Sequence, residues 1–261
     1  MTAEVLLEGR GLTKRYGGVV AVDDVDVDVR AGEVLGLVGP NGAGKTTLVD
    51  LITGAQPASG GSISLQGRPL AGSPARRARS GLARTFQHPL LALDLTVRDN
   101  LLVGLSAHRL RSFRGLVAQM VRGMLRSEQR RDHEAAEVLA ATIRLDRTDR
   151  LTRDLTLGEQ RLLEVGRALA QDPVVLLLDE PFAGSDSEGV EGIIDALRTV
   201  RDQGHGVVLV DHNVDLVASV VDRIVLLDQG RVRFDGDPSA CLASPEMQDV
   251  YFGAQEVLDD A

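Results

Sequence analysis

The octapeptide Gly39-Pro40-Asn41-Gly42-Ala43-Gly44-Lys45-Thr46 constrains this chain more than any other feature. It fits the spacing GxxxxGK[ST], follows the apolar run Glu33 to Val38, and opens a stretch of helical character over Lys45 to Thr53 with a second threonine at Thr47. Strand, glycine-rich loop and helix in that order make a cradle for phosphates. Glycines permit the backbone conformations and close approaches through which N–H groups converge on an anion, and the helix N-terminus adds partial positive charge. Lys45 is expected to bridge the β- and γ-phosphates of a nucleotide, and the Thr46 hydroxyl to ligate Mg2+. The only lysines in the chain are Lys14 and Lys45, so the placement of one inside the loop carries extra weight.

Kinases, GTPases and motor ATPases all use such a loop. The run Val174 to Leu178, apolar throughout and expected to be buried on both faces, narrows the choice by ending in Asp179-Glu180-Pro181. A strand that delivers Asp179 to the shell of Mg2+ leaves the adjacent Glu180 to polarise a water. Elsewhere, residues 19–29 alternate valine with aspartate as a strand with one wet face does. Short strands are expected at 62–66 and Val207 to Val210, and a hairpin over Arg223 to Phe234 turning at Asp228 to Gly230. Helical segments are expected at 74–82, from Thr96 through Leu105, at 127–145 and 158–171, and in a short tail. At 261 residues the chain has room for one core with an appended subdomain. We read a single α/β domain: a catalytic core over 1–87 and 156–261, opened by an antiparallel β subdomain, with a helical subdomain inserted over about 88–155.

No apolar stretch approaches the roughly 20 residues of a membrane-spanning helix, and the start MTAEVLLEGR lacks a secretory pattern, so a cytoplasmic location is expected. A net charge of −9 argues against general nucleic-acid binding. Cys241 stands alone, which excludes an internal disulfide, and reads as a small core residue. Arg122, Arg126 and Arg130 share one helical face by their spacing, either as a solvated face paired with Glu128, Glu134 or Glu137 or as a contact for anionic lipid or a membrane partner.

Between the two phosphate motifs lies Leu155-Thr156-Leu157-Gly158-Glu159-Gln160, which resembles the LSGGQ signature of ATP-binding cassette (ABC) ATPases. The resemblance extends over nearly the whole chain and implies a P-loop NTPase core, a mostly parallel sheet with helices on both faces. It further implies that Tyr16 stacks on adenine, that Gln87 reaches Mg2+ and water, and that His212 contacts the γ-phosphate. Thr156, Gly158 and Glu159 would meet the nucleotide held by a second ATPase subunit, a copy or a paralogue, so that two ATP molecules are sandwiched between chains. Three signature positions depart from the family pattern: Thr156 for Ser, Leu157 for Gly and Glu159 for Gln. The segment Ala183-Gly184-Ser185-Asp186-Ser187 also lacks the usual Leu and Pro of the D-loop.

Within the family, Ala83-Arg84-Thr85-Phe86-Gln87-His88 and Leu95-Thr96-Val97-Arg98-Asp99-Asn100 are similar to the ATP-binding subunits of branched-chain amino acid importers, as are Gly17-Gly18 and the ending Val250-Tyr251-Phe252-Gly253. That likeness implies a transmembrane permease docked over His88 to Leu93, a solute-binding protein acting through it, and a peripheral place on the inner face of the membrane. Lipid, lipopolysaccharide or urea transport, and remodelling of a macromolecular complex by a non-transport ABC ATPase, stay open as alternatives. A small-molecule kinase would leave the signature and His212 unexplained.

Overall fold

The computed structural model describes residues 3–86, 90–109 and 126–251. Valine–aspartate alternation becomes the long strand β2 (Val19–Arg30), paired antiparallel with β1 (Val5–Tyr16) through a two-residue turn at Gly17-Gly18 that sets Tyr16 opposite Val19. Val25, Val27 and Val29 are buried while Asp24 and Asp26 face water, as a half-wet sheet requires. With β4 (Gly60–Leu65) and β5 (Arg68–Pro69) these strands form a four-stranded sheet of order β2-β1-β4-β5.

The second sheet contains β3 (Val34–Val38), β6 (Leu82–Arg84), β7 (Val175–Asp179), β8 (Gly206–Val210), β9 (Arg223–Asp228) and β10 (Arg231–Gly236), in the order β10-β9-β3-β8-β7-β6. All its pairings are parallel except β10 on β9. Its strands send alternate side chains into two buried clusters. Val34, Leu176, Leu209 and Leu226 join the helices of one face, while Leu35, Val175, Val208 and Val225 pack against the first sheet and helix α1 (Lys45–Thr53) on the other. This is the expected P-loop NTPase architecture, a mostly parallel sheet covered on both faces with an antiparallel sheet attached.

Helix α2 (Pro74–Arg79) is shorter than the expected 74–82. Gly81, at φ 111°, turns the chain so that Leu82 and Ala83 enter the core as β6. Thr96 caps α3 (Val97–Arg109): its hydroxyl accepts the N–H of Asp99 at 3.1 Å. This helix, α4 (Arg126–Thr142) and α5 (Leu157–Leu169) meet in one cluster through Leu101, Ala140, Ile143 and Leu163. A bridge between Thr96 and Leu151 closes the base of the helical region. Then come α6 (Ser187–Asp202), α7 (Val214–Ala218), α8 (Pro238–Leu242) and α9 (Pro245–Tyr251). Cys241 is fully buried. Of the arginine stripe, Arg122 lies outside the described residues and Arg130 pairs with Glu134 at 3.3 Å.

Candidate nucleotide-binding site

Because β3, β6, β7 and β8 run parallel, their carboxyl ends lie along one edge, where open α/β sheets bind ligands. The loop after β3 carries Gly39 to Gly44, the ends of β6 and β7 carry Arg84 and Asp179, and β8 runs into Asp211 and His212.

Two loop glycines are demanded by the surrounding backbone. A Cβ on Gly39, at φ 151°, would lie 2.1 Å from the carbonyl oxygen of Leu227, and one on Gly44, at φ 103°, would lie 2.4 Å from that of Ala21. The loop is braced further by the Gly230 N–H, which donates to Ala43 O at 2.9 Å, and by the first helical bond, Leu48 N to Gly44 O at 2.8 Å. Gly44→Ala is expected to cost about 1–3 kcal/mol, since both its conformation and its contact become strained. A thermal midpoint equal to wild type would show that the loop has slack here.

Lys45 donates from Nζ to Gly39 O at 2.6 Å and Pro40 O at 2.9 Å, folding over the loop's own carbonyls. Burial lowers its pKa, opposed by the charges of Glu180, Asp179 and Asp211. Thr46 is exposed at the start of α1, Thr47 is half-buried, and Asn41 and Gly42 are exposed. Glu180 has φ 48°, the left-handed region that a non-glycine residue enters only when its surroundings hold it there. Its N–H donates to Val210 O at 2.7 Å, which ties the end of β7 to β8.

Tyr16, with 46% of its surface exposed, has Lys14 Nζ 4.8 Å from its ring centroid; that ammonium is held by Pro57 O at 2.8 Å. An aromatic ring so supported can stack on a base. His212 is exposed, with Nδ1 3.4 Å from Asp211 Oδ1. Gln87 and His88 lie outside the described residues. The main chain leading to them is clamped by α5: Arg161 Nη1 donates to Phe86 O at 2.9 Å, and Glu164 Oε1 accepts the Phe86 N–H at 3.2 Å. Burial pushes the Glu164 carboxyl up, against the pull of the Phe86 and Leu90 backbone N–H groups and of Arg161 and Arg167.

The signature segment opens α5. Thr156 caps α5, its hydroxyl accepting the Glu159 N–H at 3.2 Å while Glu159 Oε2 accepts the Thr156 N–H at 2.7 Å. Arg150 forks onto the Glu159 carboxylate. Burial alone would raise Glu159, but the bonds from Arg150 and the Thr156 backbone outweigh it and hold the carboxyl below its usual range. Gly158 faces the start of α6, where a Cβ would come 3.0 Å from Gly189 Cα. Among the described residues no hydrogen bond or ion pair joins this helix end to the phosphate loop.

Three residues that no motif singled out as ligands belong to the edge as well. Asp211 is 1% exposed; its Oδ1 accepts the Asn213 N–H at 3.0 Å, and its Oδ2 is buried with no partner. Arg84 bridges Asp50 of α1 and Asp179. A signal for Asp211 was available, since it directly precedes His212 at the end of an apolar strand. The hard oxygens of Thr46 and Asp179, with the orphaned Asp211 oxygen nearby, suit a Mg2+ ion that keeps waters and phosphate oxygens in its shell. No cluster of three or more His, Cys, Asp and Glu that could form an all-protein cage occurs among the described residues.

Residues 22–183 match the family model described as ABC transporter. The chain is 36% identical to the high-affinity branched-chain amino acid transport ATP-binding protein BraF of Pseudomonas aeruginosa, over 95% of this chain and 98% of that protein. To the corresponding LivG of Salmonella typhimurium it is 34% identical, over 96% and 99% of the two chains. Among solved structures, the ADP conformation of an ATP-binding cassette of an ABC transporter is similar with a TM-score of 0.81 at 27% identity, covering 95% of this chain and 99% of that one.

Proposed function

The chain belongs to the ABC transporter family as an ATP-binding, ATP-hydrolysing subunit, and on that footing we propose that it powers import of branched-chain amino acids through a separate permease. The observation that carries the solute class is near full-length similarity to two proteins named for that transport. Among the described residues no helix is long and apolar enough to cross a membrane. Phe86, Leu90 and Leu93 are exposed around the Gln87 segment and supply an apolar surface on which a permease can seat.

In this reading Gly39 to Thr47 cradle the phosphates, Tyr16 stacks on adenine, and Thr46, Asp179 and Gln87 hold Mg2+. Held by those residues, the ion would offset the negative charge of the phosphates. Glu180 takes or directs the proton of the attacking water, and His212 contacts the γ-phosphate. With one phosphate loop and one signature segment in the chain, the site is read as completed by Thr156, Gly158 and Glu159 of a second subunit. Helices α3 and α4 of the proposed helical subdomain pack on α5, whose first turn carries these residues.

Reconstitution of the chain with permeases and a solute-binding protein encoded by neighbouring genes should give leucine uptake into proteoliposomes that depends on ATP at this subunit. Uptake of urea or movement of lipid in place of leucine would overturn the solute class, and the absence of permease genes nearby would count against transport.

A further inference from the structure

The geometry points to Arg84 as a positioning residue for the Asp179 carboxylate: its guanidinium fixes one oxygen of that carboxylate, so that the other is presented to Mg2+, and braces the pair against helix α1 through Asp50. This rests on the reading of Asp179 as a ligand of the metal.

Arg84 and Asp179 end the adjacent parallel strands β6 and β7. Their main chains are already fixed relative to each other, with the Thr85 N–H on Leu177 O at 2.9 Å and the Asp179 N–H 3.4 Å from Thr85 Oγ1. What remains to be set is the rotation of the carboxylate. Arg84 Nη2 donates to Asp179 Oδ2 at 2.7 Å, and Nη1 donates to Asp50 Oδ1 at 2.6 Å. The guanidinium is rigid and planar, so the two bonds cannot turn independently: Asp179 rotates only if the Asp50 pair yields too. Burial adds stiffness. The Arg84 and Asp179 side chains retain 13% and 12% of their exposure, and the Phe86 ring lies 5.3 Å from the guanidinium carbon. Among the described residues the Asp179 side chain has no other hydrogen bond, which leaves Oδ1 to the ion.

A brace between β6 and α1 would need only the Asp50 arm. The second arm goes to the one carboxylate of the strand that the metal requires, and it withholds a single oxygen. The arrangement matches the general behaviour of groups behind a metal ligand, whose loss weakens metal affinity about 10–100-fold.

The test uses the full chain and a fluorescent ATP analogue, titrated with MgCl2 and, separately, in EDTA. Arg84→Lys keeps the charge but replaces the fork with one point donor. It should raise the MgCl2 needed for the half-maximal signal by about 10-fold or more, with metal-free nucleotide affinity unchanged. Asp50→Asn, which keeps an acceptor oxygen for Nη1 but removes its charge and leaves the arm to Asp179 in place, should lower thermal stability and move the MgCl2 midpoint by less than Arg84→Lys does. An unchanged midpoint in Arg84→Lys overturns the inference. So does an equal loss of affinity with and without metal, or an Asp50→Asn midpoint that shifts as far as that of Arg84→Lys; either reduces Arg84 to a structural brace. Asp179→Asn is the control for the premise, since a wild-type midpoint in that variant removes the metal assignment itself and not only the part given to Arg84.

Discussion

Glu180→Gln is expected to slow ATP turnover by about 10²–10⁴-fold, the usual worth of a positioned proton acceptor. Gln keeps the size and most hydrogen-bonding capacity of the side chain but cannot take a proton, so the substitution separates the chemistry from the packing. The backbone is held by the strand-end bonds of Glu180 N to Val210 O at 2.7 Å and Ala183 N to Glu180 O at 3.2 Å, which the variant retains. ATP binding should therefore survive, and two chains should accumulate in the nucleotide-bound, closed dimer. Phosphate release and size-exclusion chromatography in ATP measure the two halves of the result. Turnover at the wild-type rate would take the water-activating role away from Glu180.

Lys45→Ala attacks binding in place of chemistry. The ammonium now satisfies itself on Gly39 O and Pro40 O, at 2.6 and 2.9 Å, and a nucleotide exchanges those carbonyls for charged phosphate oxygens. Hydrogen bonds to charged groups are worth about 1.5–3 kcal/mol each. Because the lysine surrenders two carbonyl bonds to make them, we expect a net loss of about 10–100-fold in ATP affinity. Repulsion adds to this, since Asp179, Glu180 and Asp211 all bear on the Lys45 position and would then face the phosphates without it. Calorimetric titration with ATP reads the effect. An affinity equal to wild type would mean that the loop amides hold the phosphates alone.

The parts of the site that could be read from the sequence are those whose chemistry is local along it. Gly39 to Thr46 and Val174 to Glu180 each pack a strand, a turn and a ligand set into a few residues. Valine–aspartate alternation likewise marks β2, because one wet face is a period-two property. What escaped reading depends on contacts between distant residues. Arg84 looks like one more basic residue after α2 until folding brings it to Asp50 and Asp179, 34 and 95 positions away. Asp211 gains its character from losing water, with one oxygen left unpaired. Glu159 sits at a signature position, yet its oxygens are engaged by Arg150 and the helix cap, an arrangement set by the fold of the segment before α5. Helix α2 ends before the expected 82: Arg79-Ser80 continue a helical composition, but Gly81 and the pairing of Leu82–Arg84 with β7 stop it.

At Gly39 and Gly44 the phosphate loop runs where a Cβ would strike the carbonyls of Leu227 and Ala21, and Ala43 O accepts the Gly230 N–H. Its shape is thereby settled before any anion arrives. A flexible loop would surrender conformational entropy on closing around its ligand, and part of the interaction free energy would be consumed in ordering it. Here that portion is left over. In the two-chain site proposed above it would be available for drawing a second chain onto the γ-phosphate, so rigidity in one subunit would set how strongly nucleotide holds two together.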